Sequence, residues 1–543
     1  MDLLTGYELE IEKFGKDDDM YPDRHIHSIV EARYGKRGGI TDNPDVCALP
    51  RPASVARMLE VSTIPLAGYD YDEVRTMSLA ERKESVLLLQ RAFSPLAHII
   101  EMGKAVDDAL FSSYLSREVR TNSYAGPQEL VNAGLPANIY SVRSGFAGRA
   151  LSFVVYGSSG CGKTVAMNLI RSLYPTAIHH VIGDMEYIQI PIIMVTALVG
   201  NMSELMISIA RAIDDVIGAG PVWERRMKKN NVGLSGAVVK EAIRIFHVGL
   251  IVIDESQFLK FDASNVSLEN LIGIAEDTGC SLGFIGNKDL IGKMNRYPRF
   301  VGRTMLNRIE VSCTADTDRE FFIRAVQHLW RYQWTKQYTE LTDEILEELL
   351  RDSMYNISIL KAILMRVQAE AAAKYPAGGV TAGYIHEISE KRFSIIRTLI
   401  LDDSEESERV VLKLLQQNTD DISSDAKKLA VKANQKLLAE MEEQTRIWGP
   451  TKYADIETAL KIYGISRAQV KTVINKLMQK DPELPGRDVP YIIDEVRRYI
   501  ADNTDSNITK LSRSRRRKKE LDVEGEALVR EVMRESIAEG GGV

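Results

Sequence analysis

Residues 157–164 read GSSGCGKT, and about ninety residues later the chain reads LIVIDE. The first string is a glycine-rich turn closed by a lysine and a hydroxyl. The second is an apolar run that ends in two acids. Used together, they call for a parallel α/β sheet that carries a phosphate-binding turn and an acidic strand tip on the same edge.

The turn follows the apolar run ALSFVVY (150–156) and precedes VAMNLIRSLY, whose apolar spacing is helical. Strand, glycine turn and helix form the context a phosphate loop requires. Gly157, Gly160 and Gly162, with Ser158, Ser159 and Cys161 between them, allow successive N–H groups to turn toward phosphate oxygens. The helix N-terminus adds the positive end of its dipole. Lys163 reaches the β- and γ-phosphates, and Thr164 offers its hydroxyl to Mg²⁺, so ATP and Mg²⁺ are the expected cofactors.

In VGLIVIDESQFL, Asp254 stands where a Mg²⁺-bound water is held, and Glu255 where a carboxylate can polarise the attacking water. The alternative is that these acids only cap the next helix. SLGFIGN ends at Asn287, which can orient that water or serve as an ordinary turn residue.

These spacings resemble the AAA+ ATPase family. The resemblance implies an α/β P-loop NTPase fold: a parallel five-stranded sheet with helices on both faces, a helical lid, and mostly helical N- and C-terminal extensions. Around the first strand, the others would be Tyr187–Val195, Val248–Ile253, Leu282–Ile285 and Ile309–Val311. In that family an arginine near the start of the last strand enters the neighbouring subunit's site. MLNRIEV places Arg308 there, with Arg303 and Arg299 as further candidates, and any of them can instead pair with a surface acid. Lys361, with Arg366 behind it, stands where such lids supply a cation to the γ-phosphate; a solvated helix face is the alternative.

A chain of 543 residues has room for about three domains, and an apolar share of 45% supports full cores. The net charge of −7 excludes a globally basic protein, so any nucleic-acid contact falls to local patches. PVWERRMKKNNVGL, read as a loop between the second and third strands, gathers Arg225, Arg226, Lys228 and Lys229 beside Trp223. In an oligomer's channel these would touch phosphates without reading bases, giving sequence-nonspecific binding to double-stranded DNA; a surface charge run is the alternative.

Cys47, Cys161, Cys280 and Cys313 lack metal-ligand spacing and read as reduced thiols, with alkylation of Cys161 expected to block nucleotide. His25 and His27 read as surface-loop residues. No apolar run has membrane-spanning length, and the acidic start does not read as a signal peptide, so a cytoplasmic protein without membrane contact is expected.

The expected organisation is an N-terminal extension for partner docking (1–135), an ATPase core (136–315), a lid (316–402) and a charged helical linker (403–445). A small helical or winged-helix-like module (446–500) and a basic tail with a terminal helix (501–543) follow.

DNPDVCALPRP, LIVIDESQFL, FIGNKDL, ISILKAILMRVQAEA and VTAGYIHEI together narrow the match. Over roughly Asn43 to Arg392 the chain resembles the TnsC family, ATP-dependent target-selection regulators of cut-and-paste bacterial transposons related to TniB and the phage Mu regulator. GNKDL departs from the GT or GTP that relatives commonly carry after the sensor strand. The resemblance implies a homo-oligomer, a ring or helical filament hexameric or heptameric per turn, wrapped on duplex DNA. It would receive a target-site selector protein and pass the signal to transposase subunits, docked by the tail. A replication-initiator or clamp-loader-like ATPase is the neighbouring alternative; a signalling NTPase would need a repeat array, and no such period occurs.

Overall fold

Five apolar runs pair into one parallel sheet: β1 (Phe153–Gly157), β2 (Ile192–Thr196), β3 (Leu250–Asp254), β4 (Ser281–Gly286) and β5 (Arg308–Val311). The strand order is β5-β1-β4-β3-β2, so the acidic strand is separated from the glycine-turn strand by β4. Side chains alternate between two cores, Phe153, Val155, Val252 and Ile285 on one face and Val154, Ile193, Ile251 and Phe284 on the other. Because both faces are covered, each strand is a continuous apolar run rather than an alternating one. Helices α1 (His98–Leu115) and α2 (Lys163–Arg171) pack on the first face. On the second lie α3 (Met202–Ile217), α4 (Val222–Lys228), α5 (Val232–Ile245) and α6 (Ser267–Thr278).

This computed structural model describes residues 11–12, 19–22, 28–37, 43–118, 141–142, 150–197, 202–218, 220–228, 232–259, 267–295, 297–304, 306–311, 315–374, 379–402, 429–433, 435, 439, 443, 446–449, 452–462 and 467–505. His25, His27, Lys229, Cys313 and the basic tail lie outside them. The chain divides into two compact units, Met1–Ala433 and Asn434–Val543.

The run expected as one strand, Tyr187–Val195, is two. Met185–Gln189 pairs antiparallel with Ala177–Ile182 in a small separate sheet, and only Ile192–Thr196 joins the main one. Pro191 lies at the break, where a residue without an N–H cannot donate to a ladder.

The lid is formed by α7 (Ala315–Trp330), α8 (Asp343–Ser353), α9 (Ile357–Lys374) and α10 (Ala382–Asp402). The segment upstream of the ATPase core packs against both the lid and the sheet. Val74, Val86, Leu89 and Leu96 share one apolar cluster with lid residues Phe322, Leu349 and Ile363. Tyr69 Oη donates to Gln333 O at 2.8 Å. Farther upstream, Val46 and Leu49 pack with α1 against the sheet.

The DNPDV string anchors that upstream segment through polar bonds. Asn43 Oδ1 caps the short helix Pro44–Cys47, and its Nδ2 donates to Tyr114 O at 3.0 Å. Asp45 accepts from Tyr187 Oη at 2.9 Å and lies 2.8 Å from His247 Nδ1. The rings of His180, Tyr187 and His247 stack with centroids 4.4 and 4.2 Å apart. Burial alone would raise the Asp45 carboxyl, but the His247 imidazole beside it holds it below its ordinary value. Burial pushes His180 down to about 4.

In the second unit, Lys452–Ile462, Arg467–Lys480 and Val489–Asp505 pack around Ile456, Leu460, Val470, Ile474, Ile492 and Val496. Among its described residues the ordered elements are helices. No described helix is long and apolar enough to cross a membrane.

Candidate nucleotide site

β1 delivers the loop at Gly157, and α2 begins at Lys163. Gly160 and Gly162 have φ of 82° and 85°, the left-handed region that favours glycine. Gly162 is the N-cap of α2 and supplies no side-chain oxygen, which leaves the first-turn N–H groups to an outside acceptor. Lys163 Nζ donates to Gly157 O and Ser158 O, both at 2.8 Å, so its ammonium lies over the loop.

Thr164 Oγ1 donates to Asp254 Oδ2 at 2.8 Å across the gap between α2 and β3. A hydroxyl and a carboxylate so close form a hard-oxygen donor pair that suits Mg²⁺. Cation, helix N-terminus and oxygen pair therefore fit a metal-bound nucleoside phosphate.

Glu255 follows with φ 53°, a strained backbone for a non-glycine residue that turns the chain sharply at the strand tip. Gln257 Nε2 donates to Glu255 Oε2, and Gln257 Oε1 accepts from Asn287 N at 3.3 Å. Gln257 thus bridges the tips of β3 and β4. Asn287 is buried and stands at the N-cap of Lys288–Met294 without a side-chain capping bond.

The other predicted residues are placed more variously. Arg308 is half-buried at the start of β5, with Nη1 on Asn295 Oδ1 at 2.8 Å. Arg303 takes the pairing alternative: it is buried, with Nη2 3.0 Å from Glu276 Oε1 in the same chain. The side chain of Arg299 lies outside the described set. Lys361 donates to Gln90 O at 3.2 Å and sits 5.6 Å from the Phe93 ring centroid, and burial lowers it to about 8. Its ammonium is thus held by the upstream segment, and a Cβ at Gly162 would stand 3.7 Å from Phe93. Arg366 lies 4.0 Å from Glu370. Cys161 is wholly buried and clusters with Ala166 and Met167 on the first face of the sheet.

The basic segment is not a loop. Val222–Lys228 is the helix α4, whose Trp223 and Glu224 N–H groups donate to the Asp214 carboxylate. Trp223 is 1% exposed. Arg226 stacks 4.6 Å from the Trp223 ring centroid and pairs with Glu241 at 2.8 Å, which makes it a packing residue. Arg225 is exposed, and the side chain of Lys228 is not described.

Sequence reasoning missed Gln257, Asn356 and Ser358. Asn356 Nδ2 donates to Ser159 O at 2.7 Å, and Ser358 Oγ to Gly160 O at 3.0 Å. An asparagine ahead of ISILKAIL signals a helix cap, but nothing local signals a reach of 197 residues back to the loop.

No curated protein sequence matches the chain. Among solved structures it is similar to the Aeropyrum pernix Orc1 protein in complex with DNA, at 14% identity and TM-score 0.30, over 55% of this chain and 78% of that one. It is also similar to the Aeropyrum pernix Orc2 protein in its ADP form, at 12% identity and TM-score 0.33, over 62% and 85%. A third is the replication initiator DnaA bound to AMPPCP and single-stranded DNA, at 14% and 0.28, over 55% and 83%. Residues 147–294 match the family model described as an AAA domain and supply four strands of the five-stranded sheet, which is that of an AAA+ P-loop fold.

Proposed function

We propose that the chain is an ATP-dependent regulator of DNA transposition that assembles on target DNA and links target selection to transposase recruitment. The Thr164–Asp254 contact at 2.8 Å beside Lys163 carries the nucleotide part of this reading. The TnsC-like strings from DNPDVCALPRP to VTAGYIHEI support the transposition part.

In this reading the loop amides and Lys163 hold the phosphates, and Thr164 and Asp254 hold Mg²⁺, which when bound neutralises charge on the β- and γ-oxygens. Glu255 accepts the proton of the attacking water. Gln257, bonded to Glu255, sets how that carboxylate is aimed, and Asn287 lies at the tip of the adjacent strand. Arg308, at the start of β5, is the residue offered to a neighbouring subunit. Arg225 contacts DNA phosphates from α4, and the tail docks transposase subunits.

The test uses purified protein, a non-hydrolysable ATP analogue and duplex DNA. Wild type should form nucleotide-dependent oligomers on DNA and, with them, recover an integrase-type recombinase. Lys163→Ala should do neither. DNA binding that ignores nucleotide would reject the regulator reading; assembly without recombinase recovery would reject the transposition role alone.

A further inference from the structure

The loop that faces the nucleotide has a second face, and the lid holds it. α8 ends at Ser353, after which Met354 and Tyr355 adopt φ of 51° and 55°. Two successive non-glycine residues in the left-handed region are strained, and the surrounding contacts must keep them there. The turn delivers Asn356, 2% exposed, onto the glycine loop.

The side-chain amide of Asn356 works in two directions. Oδ1 accepts from Ser358 N at 3.1 Å and Ile359 N at 3.2 Å, which caps α9. Nδ2 donates to Ser159 O at 2.7 Å. Two N–H groups on one atom and a carbonyl on the other fix which atom is oxygen. Ser358 completes the contact, with both its N–H (3.2 Å) and its hydroxyl (3.0 Å) on Gly160 O. The fit is close: a Cβ at Gly160 would stand 2.7 Å from Asn356 Oδ1 and 3.1 Å from Ser358 Cβ.

A trans peptide unit is planar, with C=O and N–H pointing to opposite sides. The bond on Ser159 O therefore fixes where the N–H of Gly160 points, and the bonds on Gly160 O fix the N–H of Cys161. Both N–H groups then face away from the lid. Hydrogen bonds on the carbonyl side also polarise the N–H on the other side, which strengthens it as a donor.

Resting on the nucleotide-site reading above, we propose that Asn356 and Ser358 are positioning residues of the phosphate cradle. They hold two loop peptides from the lid side so that their N–H groups are set for phosphate, and they tie the lid to the loop's occupancy. A change in those peptide planes when phosphate binds is felt first at the start of α9. Preorganised donors lose less on binding than donors that must be turned, so the strap contributes to affinity without touching the nucleotide.

Capping and strapping can be separated. In Asn356→Asp one carboxylate oxygen keeps the cap, but the other replaces a donor facing Ser159 O. In Asn356→Ser the hydroxyl is a good cap and is too short to reach the loop. Both variants should retain wild-type helix content, with apo stability lowered modestly and more in Asn356→Asp than in Asn356→Ser, while binding MgADP and MgATP analogue about tenfold more weakly, the loss expected of a hydrogen bond or two. Hydrogen exchange supplies the readout that a structural role would not move. In wild type, MgADP should slow exchange over residues 354–360; in both variants that slowing should disappear at nucleotide concentrations that saturate them. Lys163→Ala is measured alongside. If it loses binding while both Asn356 variants bind and respond as wild type, the strap is wrong and the site stands. If Lys163→Ala binds normally, the phosphate-site reading falls, and the strap with it.

Discussion

Asp45 Oδ2 lies 2.8 Å from His247 Nδ1, both side chains wholly buried, and the two residues are 202 positions apart in the chain. The contact pins the upstream segment to the turn before β3. Asp45→Ala would leave His247 and the Tyr187 hydroxyl without their acceptor in a site closed to water. Leaving a buried donor without its acceptor costs about 1–3 kcal/mol, so urea unfolding of the first unit should shift by at least that amount. A shift below about 0.5 kcal/mol, the scale of a surface substitution, would refute the anchoring role.

Stability should fall as solutions are acidified below neutrality. Burial holds His180 and His98 at about 4, against an ordinary value of 6.5, with the Lys163 charge adding to the effect on His98. Between these values the unfolded chain takes up protons that the native chain refuses, so native stability is full above 6.5 and is lost as pH drops toward 4. Each histidine should account for about 1–2 kcal/mol between pH 7 and 5. Asp45, lowered in the fold, contributes above its unfolded value near 4 and adds its own loss below that. Thermal melts of wild type and His180→Gln over this range check the sign: the variant should show the shallower slope.

Glu255→Gln should bind nucleotide like wild type and hydrolyse it about 10²–10⁴-fold more slowly, since the amide keeps the shape and loses the base. Single-turnover hydrolysis measures this directly. A rate within threefold of wild type would move the role of base to another residue.

Two neighbouring arginines should separate cleanly. Arg225→Glu changes an exposed charge and should weaken duplex binding on every sequence, lowering the salt slope by about one for each lost phosphate contact. Arg226→Ala removes a side chain stacked on Trp223 and paired with Glu241, and should lower melting temperature more than DNA affinity. Fluorescence anisotropy across a salt series, with melts in parallel, would show the reverse pattern if α4 were misread.

What the sequence made legible was local. GSSGCGKT and the acids after LIVI need only their own strands and turns, and Thr164 and Asp254 lie 2.8 Å apart. The β2 boundary was not legible, because an apolar run reads the same whether it crosses into one sheet or two, and Pro191 alone marks the break. The α4 charges read as a loop because the carboxylate that meets its first N–H groups, Asp214, belongs to α3. Lys361 was legible as a lid-helix cation, but its direction depends on Phe93 and Gln90, hundreds of residues upstream.

The Asp45–His247 contact also bears on how the protein is made and cut. A ribosome adding about 5–20 residues per second releases Asp45 roughly 10–40 seconds before its partner 202 residues later. For that interval the emerging segment carries an acid whose enclosure has not been synthesised, so the first unit cannot close from its N-terminus inward. The same arithmetic applies to fragments. A recombinant piece trimmed to the matched span 147–294 would discard Asp45, α1 and the lid together, and would leave one face of its sheet covered by α2 without α1. Expression boundaries for this molecule belong upstream of Asn43 and beyond α10.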